Sequence, residues 1–116
     1  MPPQPSFEIN HLTLPSSSPA ALAEWYVNIL GFSRVGDMLA SGDFRMKIVQ
    51  GVGISLESEC LFGFRVASRA EFQSWTKYLE DRGLHLASTP SSGSPPASAM
   101  LRDLDGNTLE LYFDPT

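Results

Sequence analysis

Apolar and polar residues alternate with period two at the end of the chain. Residues 101 to 113 read LRDLDGNTLELYF, a pattern that predicts strand, tight turn, strand. Asp105-Gly106 supplies the turn chemistry, and Asn107 beside it tolerates positive φ. After the turn Leu109, Leu111 and Phe113 share one face of the strand, and Thr108, Glu110 and Tyr112 the other. The same periodicity runs from Phe7 to Leu14, where Leu12 and Leu14 face one way and Ile9, His11 and Thr13 the other. Two stretches have helical period instead. Ser18 as N-cap and Pro19 at the first position open a helix whose stripe is Leu22, Trp25, Tyr26, Ile29 and Leu30, and Gly31 stops it. Ser68 and Glu71 form a capping box for a second helix, which carries Phe72, Trp75, Tyr78 and Leu79 and stops at Gly83. Both stripes read as core, and both tryptophans are expected behind a sheet. Phe32 to Ala40 and Phe44 to Val49 predict a hairpin around Ser41-Gly42-Asp43, followed by a strand over 51–58.

An internal repeat organises these elements. His11–Trp25 laid over Leu61–Trp75 matches Leu12 with Phe62, Leu14 with Phe64, Leu22 with Phe72 and Trp25 with Trp75. GISLES from Gly53 laid over GNTLEL from Gly106 sets Glu57 against Glu110. The predicted fold class is therefore α+β: two repeated βαβββ units forming a concave mixed sheet, with helices outside. Residues 1–116 are read as a single domain, with unit one about 7–58 and unit two about 60–113. Parity turns His11, Glu57 and Glu110 to the concave side, with Leu61 in the place of His11. Arg65 shares that parity and points into the pocket or its rim. Tyr112 shares the face of Glu110, and His85 lies on a short strand in LHLA. Residues 88 to 98, STPSSGSPPAS, are too rich in Ser, Pro and Gly to pack by themselves and form either flexible surface or a lid.

Composition narrows the partners. The formal charge is −5 with 13 acidic and 8 basic residues, and no basic cluster is present to bind nucleic acid. No apolar run reaches the ~20 residues that cross a bilayer, so no membrane partner is expected. The first residues lack the basic and apolar regions of a leader. A lone cysteine, Cys60, excludes an internal disulfide and fits a reducing compartment, which gives a cytoplasmic expectation. Flanked by Leu61 and Phe62, Cys60 reads as a buried apolar residue and not as a nucleophile.

NHLTL near the start, EWYVNILGF after the first helix and RDLDGNTLELYF at the end resemble the vicinal oxygen chelate superfamily, the glyoxalase, bleomycin-resistance and extradiol-dioxygenase relatives. Leu104 stands where that pattern usually has Pro. The resemblance implies metal ligands at His11, Glu57, Leu61 and Glu110, and Leu61 cannot ligate a metal. It also implies a small-molecule ligand and a homodimer.

Two carboxylates within ~4–6 Å of each other either share a cation or leave one protonated. In the first case His11, Glu57 and Glu110 hold one divalent metal per site (Zn, Ni, Mn, Fe or Mg), a Lewis acid for a substrate oxygen. In the second, with no metal, Glu110 or Glu57 is a general acid or base for isomerase, lyase or cyclase-like chemistry. Arg65, Tyr112, Leu61 and His85 are then the candidate substrate contacts. The competing reading is a metal-free protein that sequesters a ligand, as bleomycin-resistance relatives do. Leu61 and Gly63 in place of polar groups, together with the acidic balance, favour it. An accessory domain without a small-molecule site ranks third.

Overall fold

The computed structural model describes residue 3 and residues 9–52, 60–88 and 97–114. The chain forms two compact units, Met1–Val52 and Gly53–Thr116, and each repeats the β-α-β-β-β order of an α+β fold.

In the first unit, β1 (His11–Ser16) leads to α1 (Pro19–Leu30), then β2 (Ser33–Val35), β3 (Met38–Ser41) and β4 (Phe44–Gln50). The sheet order is β1-β4-β3-β2. β1 and β4 run parallel, with Leu12 opposite Met46 and Leu14 opposite Ile48. A parallel pair needs a crossover, and α1 with the β2–β3 hairpin provides it. Leu14, Leu22, Tyr26, Phe32, Leu39 and Met46 are buried together with this unit's helix and sheet. Tyr26, fully buried, takes the centre: its ring meets Trp25 edge-on at 5.1 Å and Phe32 at 5.4 Å. Trp25 itself is only half-buried. Pro19 opens the helix as expected, but the Ser18 side chain makes no capping bond. The buried Ser16 hydroxyl accepts from the Ser18 N–H at 3.0 Å instead. Gly31 closes the helix at φ +76°, where a side chain would be strained.

Three expectations for this unit change. β1 begins at His11, and residues 9 and 10 lie outside it. The single strand expected over Phe32–Ala40 is two short ones, because Gly36 at φ +59° reverses the chain between Val35 and Met38. Among the described residues β4 is the last strand of the unit, and Gly51-Val52 is not strand. Glu57 and most of the strand expected over 51–58 lie outside the described residues.

The second unit follows the same plan: β5 (Cys60–Arg65), α2 (Arg69–Asp81), β6 (Ala87–Ser88), β7 (Ala97–Arg102) and β8 (Thr108–Phe113), in the order β5-β8-β7-β6. The strand-turn-strand expected at 101–113 is present as β7 and β8. Leu109, Leu111 and Phe113 are buried with Val66, Leu79, Ala97, Ala99 and Leu101. Phe64, Phe72 and the half-buried Trp75 pack against this core, and the Arg69 guanidinium lies 5.6 Å over the Phe113 ring. The capping box at Ser68 forms: its hydroxyl accepts from Glu71 N at 3.1 Å, and the Glu71 carboxylate accepts from Ala67 N at 3.2 Å.

The turn joining β7 to β8 is built differently from its sequence reading. Gly106 adopts φ +87°, whereas Asn107 does not take positive φ. Asn107 is instead buried and tied to Asp103. Asp103 Oδ1 accepts from the Asp105 and Asn107 N–H groups at 3.0 Å each, and Oδ2 accepts from Asn107 Nδ2 at 3.0 Å. Asp103 is the residue that sets the turn, because its carboxylate replaces the water that three buried or half-buried donors would otherwise lose.

Candidate functional site

The sheet of the second unit has two unlike faces. α2 packs on the face carrying Leu109, Leu111 and Phe113. Alternation therefore turns Thr108, Glu110 and Tyr112 to the helix-free face. Strand register supplies their neighbours there. Cys60 and Arg102 flank Thr108, Gly63 and Met100 flank Glu110, and Arg65 and Ser98 flank Tyr112.

Glu110 is half-buried and stands in the middle row. Ser98 Oγ donates to its Oε2 at 2.5 Å. On the other side there is no side chain at all. A Cβ built on Gly63 would lie 3.3 Å from Glu110 Oε1 and 3.5 Å from its Cβ, so a side chain there would press on the carboxylate by a few tenths of an ångström.

β5 carries a bulge beside this point. Cys60 pairs with Thr108 and Phe62 with Leu109, so Leu61 is the extra residue between them. Leu61, expected as the apolar wall in the place of His11, is thus the unpaired residue of a bulge, and Cys60 takes the place beside Thr108. Cys60 is exposed, where burial was expected. Its thiol donates to Phe62 O at 3.1 Å. Desolvation, followed by repulsion from Glu110, pushes the thiol above its usual range. A thiol held protonated is a poor nucleophile, which agrees with the sequence reading of its chemistry.

Cys60, Leu84, His85, Met100, Arg102 and Thr108 line a cavity of about 690 Å³ in this unit. His85 reaches it from the segment before β6 and not from a strand as expected. Arg65 and Tyr112 meet at the far row: Arg65 Nη2 donates to Asp114 O at 2.8 Å and Tyr112 OH to Asp114 Oδ2 at 2.7 Å. The bond to Asp114 raises the Tyr112 hydroxyl above its usual range, with desolvation adding to it.

In the first unit, His11 is exposed at the start of β1, with Nδ1 3.1 Å from Asn10 Oδ1. Strand register also gives matching places in the two units. Thr13 faces Lys47 across β1 and β4, as Gly63 faces Glu110 across β5 and β8. By register Lys47 stands in β4 where Glu110 stands in β8, and it pairs with Asp37 at 3.3 Å, while Glu57 lies outside the described residues. Among the described residues, no three His, Cys, Asp or Glu side chains come together as a metal-holding group. The described residues by themselves do not fit a metal centre.

Sequence reasoning missed Ser98. The alternation of ASAMLR was the available signal for Ser98, and it was hidden by the Ser/Pro-rich composition just before it.

The chain matches the model of the Glyoxalase/Bleomycin resistance protein/Dioxygenase superfamily over residues 8–111. No curated protein matches it in sequence. Among solved structures it is similar to lactoylglutathione lyase from Agrobacterium tumefaciens, with a TM-score of 0.74 and 14% identity over 97% of each chain. It is also similar to the fosfomycin resistance protein FosX from Listeria monocytogenes, with a TM-score of 0.72 and 16% identity over 93% of each chain. A glyoxalase/bleomycin resistance protein/dioxygenase from Alicyclobacillus acidocaldarius gives 0.67 and 19%, covering 91% of this chain and 90% of that one. At these identities the likeness shows the fold.

Proposed function

Because the chain belongs to the Glyoxalase/Bleomycin resistance protein/Dioxygenase superfamily, we propose that it is a small-molecule enzyme of isomerase or lyase type in which Glu110 moves a proton. One observation carries this reading: a half-buried carboxylate stands on the helix-free face, opposite a glycine that leaves it room. Such a group contributes little to folding, and a hydrophobic residue there would be easier to bury.

In the reaction, Glu110 takes a proton from substrate, and the bonding electron pair moves onto an adjacent carbonyl oxygen. Return of the proton at a neighbouring atom gives an isomer, while expulsion of a leaving group gives elimination. The cavity beside Cys60 has room for the substrate body, with Leu84 and Met100 as apolar walls and His85 and Arg102 as polar ones. On the family pattern His11, Glu57 and Glu110 are the residues that would hold a divalent metal, and the proton-moving role of Glu110 does not depend on such an ion.

A metal-free protein that holds a ligand without turning it over is the second reading. Lys47 in the matching place of the first unit favours it, since an ammonium there repels a metal ion and attracts an anionic ligand group. A panel of small carbonyl compounds and of cationic, anionic and neutral drugs, screened by shift in melting temperature, separates the readings. A stabilising compound that is consumed by the wild type and only bound by Glu110→Gln supports the enzyme. A compound bound equally by both and recovered unchanged refutes it. Metal content of the purified protein and of Glu110→Ala, with and without added divalent ions, tests the chelate reading in parallel. We also expect a homodimer, so light scattering should give about twice the 12.7 kDa chain mass, and a monomer at all concentrations refutes that expectation.

A further inference from the structure

We propose that Ser98 is a positioning residue that fixes the orientation of the Glu110 side chain and leaves Oε1 as its one acting oxygen. The inference deepens the reading of Glu110 given above and rests on it for its functional meaning.

The geometry comes from two strands acting from opposite sides. Met100 on β7 is directly across from Glu110, and Ser98 is across from Tyr112. Ser98 is therefore a diagonal neighbour of Glu110 on the same face, within reach of a long side chain. Its hydroxyl donates to Oε2 at 2.5 Å. Gly63 on β5 is across from Glu110 on the other side, and Oε1 lies 3.3 Å from where a Cβ would stand. One oxygen is thus engaged by a donor, and the other rests over bare backbone. Among the described residues no other side chain donates to either oxygen. A carboxylate that is to accept a proton gains from such fixation, because rotamer freedom would otherwise have to be lost on the way to the transition state.

The orientation of Glu110 can be read without any ligand, from side-chain three-bond couplings in the isotopically labelled protein. The wild type should show one rotamer. Ser98→Ala and Ser98→Val should lose it and give averaged couplings. Ser98→Thr, which has the shape of Val and keeps the hydroxyl, should restore it. The Thr and Val variants differ only in the hydroxyl, so their comparison stays decisive if Ser98→Ala folds poorly. A single unchanged rotamer in Ser98→Val, or averaging in the wild type, overturns the inference. Failure of the functional reading looks different. Glu110 would stay locked by Ser98, while Glu110→Gln would leave every bound compound handled as in the wild type.

Discussion

Replacing Asp103 with alanine should unfold more of this protein's stability than its place in a five-residue turn suggests. Asp103 and Asn107 are 5% and 1% exposed, and the Asp103 carboxylate accepts three hydrogen bonds of 3.0 Å. Alanine leaves the Asn107 N–H and side-chain amide buried without an acceptor, at about 1–3 kcal/mol each, while the half-buried Asp105 N–H adds less. The three bonds share one carboxylate and are not additive, so a total of about 3–4 kcal/mol is expected. That is a large part of the ~5–15 kcal/mol that stabilises a typical domain. With m near 1.5 kcal/mol/M in urea, the midpoint should fall by about 2 M with m unchanged. Asp103→Asn keeps one acceptor oxygen and should lose about half as much. Urea unfolding followed by tryptophan fluorescence checks both variants. A loss below about 0.5 kcal/mol for Asp103→Ala would show that the turn is held by its backbone bonds, Asp103 N to Asn107 O and Gly106 N to Asp103 O, and refute the reasoning.

Two further expectations concern protonation. Glu110→Gln removes one of the two causes that hold the Cys60 thiol up, so the pH profile of Cys60 alkylation should move down, though not fully to the ordinary thiol range, because burial is the larger cause. An unchanged profile would place the two groups further apart than the structure does. Cys60 and Tyr112 both release their protons at higher pH in the folded chain than in the unfolded one. Their contribution to stability is therefore full below about pH 8.5, the ordinary thiol value, and is lost as pH rises through the folded values. Urea midpoints measured from pH 7 to 11 should decline at the alkaline end, with a smaller decline in Cys60→Ser.

Much of the architecture was legible along the chain because it is local. Pro19, Gly31, Ser68 with Glu71, and Gly83 mark helix ends through backbone conformations that neighbouring residues settle among themselves. The alternation of TLELYF likewise turned Glu110 away from the core before any partner strand was known, since a period of two needs only the strand itself. Family membership followed from stretches of that kind. What the chain could not disclose is strand register, which depends on pairing between residues far apart in sequence. Pairing alone set Lys47 in the β4 place that Glu110 has in β8. It also produced the bulge that brings Cys60, and not Leu61, beside Thr108. The same cause hid the surroundings of Glu110. Ser98 and Gly63 lie 12 and 47 positions away in sequence, and only the docking of β7 and β5 on either side of β8 puts a hydroxyl on one carboxylate oxygen and bare backbone under the other.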